Sequence, residues 1–220
     1  MIIMKTEQFI GELKKLRKGV FRENEACRIL GNSRGYCNLY LHRLVKRGRI
    51  FRLARGTYAL PECSILEMAG SVIASSYVTG LAALFYHGVI NQEPLSTDVA
   101  RIGRNRKLTV RGPFGTLEVH THGIPKRAFF GYARVSGNIG EFLVADKEKA
   151  IIDLLLFYGR KQLFRVQSVV ANDFVDRGVL GKYAAMLGKG RKAKMVHEFV
   201  EEFIAENATA KRIGETNDGI

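Results

Sequence analysis

The stretch ENEACRILGNSRGYCNLYLHRLVKRGRIFRLARGTYAL, residues 23–60, combines apolar positions at helical spacing with two β-prone runs. A helix over about 23–30 is predicted to end at Gly31. Asn32 or Ser33 can cap the helix that follows. The buried stripe of that helix consists of apolar residues three or four positions apart, Cys37, Leu41, Leu44 and Val45. The order helix, turn, helix is typical of proteins that place a helix in the DNA major groove.

The residues on either side of this pair of helices complete a recognisable unit. Residues 7–17 carry apolar positions at helical spacing and predict a preceding helix. Residues 49–53 and 57–60 are β-prone runs around a turn that contains Gly56, which predicts a hairpin. Three helices and a hairpin within sixty residues indicate a winged helix-turn-helix.

The charge of the chain is concentrated in this unit. The sequence of 220 residues has 35 Lys plus Arg, 21 Asp plus Glu and a formal net charge of +14. Residues 1–60 hold 14 of the basic and 4 of the acidic residues, so +10 of the +14 lies there. A segment this basic attracts polyanions through counterion release, and nucleic acid is the commonest polyanion. An anionic membrane would instead require a basic amphipathic helix on its own.

The outward face of the third helix supplies the predicted DNA contacts. Removing its buried stripe leaves exposed residues in the first half of the helix that can read bases or hold phosphates: Ser33, Arg34, Tyr36, Asn38 and His42. The end of the helix carries residues suited to backbone phosphates, namely Arg43, Lys46 and Arg47. In the hairpin, Arg52 and Arg55 can reach a minor groove or phosphates. The alternative for both groups is a solvated basic surface.

The rest of the chain predicts a second domain. We expect residues 1–65 to form the winged helix-turn-helix and residues 66–220 to form a mixed α/β domain with a small sheet and a helical C-terminal part. The fold class is therefore α+β. The predicted helices of the second domain are 65–73, 79–87, 147–158, 161–171, 173–187 and 191–205, with a frayed end from Asn207. The predicted strands are 99–102, 107–110, 116–120 and 132–135.

Two further basic clusters lie in the second domain. The first has no acid among its residues and lies between predicted strands; its members are Arg101, Arg104, Arg106, Lys107 and Arg111. This cluster has three interpretations: an extension of the nucleic-acid surface, a binding site for an acidic partner, or a solvated loop. The second precedes the last helix as Lys189, Arg191, Lys192 and Lys194, and we interpret it as a solvated helix start.

The sequence argues against membrane, disulfide, metal and catalytic sites. No apolar run approaches the roughly 18 to 20 residues of a membrane span, and we expect a cytoplasmic protein. Cys27, Cys37 and Cys63 form no paired motif and are interpreted as buried free thiols. His120 and His122 share a strand face, but no ligand cluster accompanies them. We expect no metal, no cofactor and no active site.

The remaining carboxylates have structural interpretations. Asp173 and Asp176 are spaced for one helix face, which differs from the D-x-D pair of nucleotidyl transfer. Four acidic residues are expected to cap or pair around one helix: Glu141, Asp146, Glu148 and Asp153.

Four stretches occur in an order that resembles a known family. They are RLARGTYALP at 52–61, SYVTGLAALFYHGVI at 76–90, FFGY at 129–132 and VADKEKAIIDLL at 144–155. Together with the winged helix they resemble the AbiEi family of antitoxin-type transcriptional regulators from viral-defence systems, over roughly residues 20–160. The resemblance implies an N-terminal winged helix that represses its own operon by binding inverted repeats. It also implies a C-terminal domain that counters a co-encoded, nucleotidyltransferase-like toxin.

These observations favour a two-domain DNA-binding transcriptional repressor that is not an enzyme. Its partners would be double-stranded DNA and the toxin that the resemblance implies, and the sequence is compatible with self-association. The principal alternative is an RNA-binding module of a ribonucleoprotein, because a basic winged helix also suits A-form RNA. A nucleotide-transfer enzyme is disfavoured by the lack of a paired-carboxylate motif.

Overall fold

The N-terminal part of the chain forms three helices and a small sheet. The computed structural model describes residues 4–112, 115–160 and 175–215. The first elements are α1 (Thr6–Lys15), β1 (Val20–Arg22), α2 (Glu23–Leu30), α3 (Arg34–Lys46), β2 (Phe51–Ala54) and β3 (Thr57–Ala59). The three strands are antiparallel in the order β1-β3-β2. The three helices and the hairpin are where the sequence predicted them. Strand β1 was not predicted.

Local signals explain the boundaries of these elements. Gly31 ends α2 in the left-handed conformation with a φ of 60°, which glycine adopts without strain. The Ser33 hydroxyl caps α3 by accepting a hydrogen bond from the Tyr36 N–H at 3.4 Å. Gly56, with a φ of 68°, lies in the tight turn between β2 and β3. The predicted stripe on α3 is buried at Cys37, Leu41 and Leu44 and half-buried at Val45.

The hydrophobic core of this part extends beyond the first three helices. It contains Phe9 and Phe21, whose rings meet edge to face at 6.0 Å between centroids. The same core includes side chains from later in the chain: Met68, Ala69, Val72, Val99, Val110 and Val119. Apolar packing therefore continues across the predicted boundary at residue 65.

The later elements build a larger sheet flanked by helices. They are α4 (Ile65–Val72), β4 (Ser76–Thr79), α5 (Gly80–Tyr86), β5 (Ser96–Ile102), β6 (Arg106–Gly112), β7 (Gly115–Ile124), a 3-10 turn (Lys126–Ala128), β8 (Tyr132–Ser136), β9 (Glu141–Ala145), α6 (Lys147–Tyr158), α7 (Arg177–Met186) and α8 (Arg191–Glu215). The six strands follow the order β6-β7-β5-β4-β9-β8. Strands β4 and β9 are parallel, as are β5 and β7, whereas the other pairs are antiparallel. The sheet is larger than the small sheet that was predicted, because two of its six strands, β4 and β9, were not predicted.

The C-terminal helices cover a second core. Leu84, Ile151, Leu154 and Leu155 are buried in it, and Leu81 packs against it. The predicted helix 161–171 and the start of 173–187 lie outside the described residues. The backbone of α8 stays helical to Glu215, so the prediction of a frayed end from Asn207 was wrong.

A buried carboxylate joins distant parts of the chain. Glu67 of α4 accepts hydrogen bonds from the N–H groups of Asn138, Ile139 and Gly140, at 3.0, 3.4 and 2.7 Å. Gly19, just before β1, packs so closely against Glu67 that a Cβ there would lie 2.4 Å from a carboxylate oxygen. The turn between β8 and β9 is thereby anchored to the N-terminal part.

Candidate nucleic-acid interface

The exposed face of α3 lies opposite its buried stripe. At 100° per residue, the positions farthest from the three fully buried residues of the stripe, Cys37, Leu41 and Leu44, are Gly35, Leu39, His42 and Lys46, and all four are exposed. Asn38, Arg43 and Arg47 flank this line and are also exposed. The polar members of this surface were predicted from the sequence, whereas Gly35 and Leu39 were not. Their spacing relative to the stripe was the signal that could have identified them.

Two of the predicted contacts have structural roles as well. The Ser33 hydroxyl oxygen is occupied as an acceptor by its capping bond, although its own proton is free to be donated elsewhere. Tyr36 is half-buried and stacks on Tyr40 at 6.1 Å between ring centroids. Tyr40 in turn meets Phe9 edge to face at 5.5 Å. The aromatic ring of Tyr36 therefore belongs partly to the packing of the unit.

Arg34 differs most from the expectation of an unpaired base reader. Its Nε donates to Glu23 Oε1 of α2 at 2.7 Å, while 83% of the side chain is exposed. This hydrogen bond, followed by the charge of Glu23, raises the pKa of the guanidinium. The bond uses one of the five donors of the group, so both terminal nitrogens stay available to an acceptor. Glu23 thus orients Arg34 beside the start of α3.

The second half of α3 and the hairpin carry cations that form no ion pairs with described residues. Five exposed basic residues of these two elements form no ion pair with any residue that the structure describes: Arg43, Lys46, Arg47, Arg52 and Arg55. Arg52 lies on β2, and Arg55 lies in the turn between β2 and β3. Unneutralised cations on neighbouring elements form the type of surface that attracts phosphates.

The acidic residues of the N-terminal part are paired elsewhere. Glu7 contacts Arg49, Glu12 lies 2.8 Å from Lys15, and Glu25 lies 2.7 Å from Lys18. Glu23, with Arg34, is the acid nearest the start of α3. Among the described residues, none of these four acids forms an ion pair with the cations of the second half of α3 or of the hairpin, although the Glu23 carboxylate lies beside Gly56 in the hairpin turn.

The predicted basic cluster between Arg101 and Arg111 lies next to the hairpin. Strand β6 is an edge strand of the large sheet, and β2 packs against it. Arg101 and Lys107 line one cleft together with Arg22 and Arg55. Within it, Arg22 donates to Thr57 Oγ1 at 2.6 Å and to the Val72 carbonyl oxygen at 3.1 Å. Arg104 is exposed, whereas the side chains of Arg106 and Arg111 lie outside the described part.

The C-terminal basic cluster lies where it was predicted, at the start of α8. Lys189, Arg191, Lys192 and Lys194 are exposed there. Lys192 donates to the Leu156 carbonyl oxygen at 2.9 Å, and Lys194 lies 3.7 Å from Glu198. These contacts are those of a solvated helix start.

The two histidines on β7 have carboxylate partners that the sequence analysis did not identify. Nε2 of His122 lies 2.7 Å from Asp98 Oδ1, and Tyr158 donates to the same oxygen at 2.6 Å. Nε2 of His120 lies 3.2 Å from Glu118 Oε2. Among the described residues, no group of three or more His, Cys, Asp or Glu side chains is arranged to hold a metal ion.

The carboxylates around α6 form caps and pairs, as predicted. Asp146 accepts from the Lys149 N–H at 2.7 Å at the start of α6. Glu148 accepts from the Asp176 N–H at 2.7 Å, and Asp176 caps α7. Glu141 lies 3.3 Å from Arg134. Asp173 lies outside the described residues.

The most buried of these carboxylates, Asp153, lies inside the second core. It pairs with the fully buried Lys149 and accepts hydrogen bonds from Tyr77 and Thr79 at 2.9 and 2.8 Å. Burial raises the pKa of Asp153, and the Lys149 ammonium opposes that change. The cluster is sealed from solvent and serves packing.

The three thiols are free, as expected, and two are buried. Burial, and next the hydrogen bond with Cys27, raise the pKa of Cys37 to about 12. Burial also raises the pKa of the Cys63 thiol. Cys27 is half-buried. Thiols with raised pKa values are poor nucleophiles at neutral pH.

Comparison with known proteins gives a match to the N-terminal part of the chain. A family model described as "Transcriptional regulator, AbiEi antitoxin" matches residues 9–61. This segment contains α1 from its fourth residue on, all of α2 and α3, and both strands of the hairpin. The resemblance to the AbiEi family is therefore confirmed over these residues. No curated protein matches the chain. Among the described residues, no helix is both long and apolar enough to cross a membrane.

Proposed function

We propose that this chain is a sequence-specific DNA-binding transcriptional repressor, and that it is the antitoxin and autoregulator of a toxin-antitoxin or viral-defence operon. Residues 1–65 act as a winged helix-turn-helix, in which α3 enters the major groove and the hairpin β2–β3 forms the wing. Residues 66–220 act as the second domain. The protein performs no catalysis in this proposal.

The observation that carries the proposal is the unneutralised surface of α3 and the hairpin. Five exposed cations there lack acidic partners among the described residues, while each acid of the first sixty residues is paired. The match to a family of transcriptional regulators over the same elements supports this interpretation. Arg34, Asn38 and His42 would contact base edges, with Ser33 and Tyr36 at the adjoining phosphate or thymine. Arg43, Lys46, Arg47, Arg52 and Arg55 would hold phosphates.

The test measures binding of the full chain to labelled duplex DNA as a function of salt. A protein with about 6 phosphate contacts loses on the order of a thousandfold in affinity between roughly 50 and 200 mM salt. We expect a fall of this size. An affinity that stays flat over that range would refute the electrostatic argument.

A matched pair of variants shows where the charge acts. Lys46→Gln with Arg47→Gln removes two cations from α3, and Lys189→Gln with Arg191→Gln removes two from the start of α8. The first variant should have a shallower salt slope, by about two phosphate contacts. The second should bind as the unmodified chain does. Equal loss in both variants would show a general charge effect.

Competition between nucleic acids separates the proposal from its alternative. Duplex DNA and duplex RNA of the same sequence are added against the bound labelled DNA. A repressor should be displaced far better by the DNA, because a deep, narrow RNA major groove excludes α3. Preferential displacement by RNA would support the ribonucleoprotein module.

The antitoxin role is tested by growth in cells that express the toxin encoded next to this gene. The full chain should restore growth. Residues 66–220, if shown to be folded, should also restore it. Rescue by the full chain alone would move the antitoxin role off the second domain. Rescue by neither would leave a repressor without antitoxin activity.

A further inference from the structure

Gly35 is a helical glycine that the fold does not require. It is the second residue of α3, is exposed and has no positive φ. A Cβ at this position would have no heavy atom within 4 Å. By contrast, a Cβ on Gly70 of α4 would lie 2.9 Å from the Phe142 ring. Alanine stabilises helices relative to glycine, so neither packing nor backbone geometry explains Gly35.

Leu39 lies one helical turn after Gly35 on the same exposed face. Half of its surface is accessible, at 50% exposure, although it lies between cations and polar residues. His42 and Arg43 follow it on the next turn. The buried stripe of α3 points the opposite way, so Leu39 does not belong to the core. At the centre of the exposed α3 surface, the apolar side chain of Leu39 therefore lies next to Gly35, which has no side chain.

We propose that Gly35 lets α3 approach the base edges closely and that Leu39 contacts the methyl group of a thymine. This inference rests on the proposed DNA-binding function and names the contact that would discriminate an A·T pair. Glycine is a common residue where a backbone approaches a ligand closely. In the major groove, the thymine C5-methyl group is the apolar feature that a leucine can contact. Leu39 is then a specificity-determining residue.

The first experiment removes the methyl group from the DNA. A duplex selected from a randomised library by the full chain is remade with deoxyuridine at one thymine position at a time. At one position in each half-site, the unmodified chain should lose about fourfold in affinity, the value expected for one buried methyl group. The Leu39→Ala variant should bind the thymine and uracil duplexes equally at that position.

The second experiment fills the space at Gly35. Gly35→Ala should leave the midpoint of thermal unfolding unchanged or raise it, and should weaken binding to the selected duplex about tenfold by overpacking the contact. Gly11→Ala on α1 is the matched control, because a Cβ there also has nothing within 4 Å. This control should gain helix stability without a change in DNA affinity.

The outcomes distinguish this inference from the function on which it rests. If the chain binds no duplex in low salt, the proposed function fails. If it binds a selected duplex but tolerates uracil at every position, the methyl contact is refuted. Equal losses on uracil for the unmodified chain and Leu39→Ala would assign the methyl group to another residue. Unchanged binding by Gly35→Ala would refute the close approach.

Discussion

The charged residues of α3 and those of α6 differ in their surroundings. Lys46 and Arg47 of α3 are exposed and have no acidic partner in the described parts of the chain. Lys149 and Asp153 of α6 are fully buried and paired with each other. A charge without a partner is free to bind an external anion, whereas a buried pair stabilises the fold only while both members are present. The same residue types are therefore available to an external anion in one region and serve packing in the other.

Dividing the chain between residues 65 and 66, which separates α3 from α6, should have the largest effect on DNA binding. We predict that residues 1–65 bind DNA and that residues 66–220 do not, as measured by fluorescence anisotropy at low salt. The shorter fragment should unfold at a lower temperature than the full chain, because it lacks Met68 and Val72, each worth about 2 kcal/mol of apolar burial. DNA binding by a folded 66–220 would place part of the interface at the cleft of Arg101 and Lys107.

Breaking the buried pair should produce the next largest effect. Asp153→Asn leaves the Lys149 ammonium buried without a counter-charge, and the free energy of unfolding should fall by about 3 to 5 kcal/mol. Urea denaturation measures this loss.

Glu198→Gln is the matched control, since it breaks an exposed pair at the same four-residue spacing, with Lys194 at 3.7 Å. It should cost less than about 0.5 kcal/mol. Similar losses in the two variants would contradict the distinction between the regions.

Within α3, the residues assigned to base contacts and those assigned to phosphate contacts should affect DNA binding in different ways. We predict that Arg34→Ala and Asn38→Ala each reduce discrimination between the selected duplex and random DNA by about 1 to 3 kcal/mol. Lys46→Ala should weaken binding to both duplexes equally and lower the salt slope by about one. Titrations with both duplexes at several salt concentrations measure these quantities. Equal losses for all three variants would show that the assigned roles are wrong.

The sequence predicted the N-terminal elements well because local signals define them. Ser33, Gly31 and the apolar stripe of α3 act within a few residues of where they stand. Strands β1, β4 and β9 were not predicted, because they have only three to five residues. In addition, β1 and β4 form by pairing with strands that are distant in the sequence, whereas β9 forms a hairpin with β8. The Arg34–Glu23 contact depends on how α2 packs against α3, which spacing alone does not reveal.

A small effect is also predicted for an exposed ion pair, Lys14–Glu62, near the predicted domain boundary at residue 65. The hydrogen bond from Lys14, at 2.6 Å, lowers the pKa of Glu62 below its ordinary 4.5. Glu62→Gln should cost at most about 1 kcal/mol, and less in high salt. Because the folded pKa is lowered, this stabilisation is complete above pH 4.5 and disappears as the pH falls through the lowered value. Urea denaturation of both proteins across this pH range measures the difference, which should converge to zero in acid.

The contact of Glu67 with the turn at 138–140 can form only late in the synthesis of the chain. The partners of this buried carboxylate emerge from the ribosome about seventy residues after it, a delay on the order of ten seconds. During that interval α1, α2, α3 and the hairpin are already outside the ribosome, while Glu67 still lacks the N–H groups that satisfy it. The nascent chain therefore exposes the helix proposed to read DNA before its anchor to the large sheet is complete.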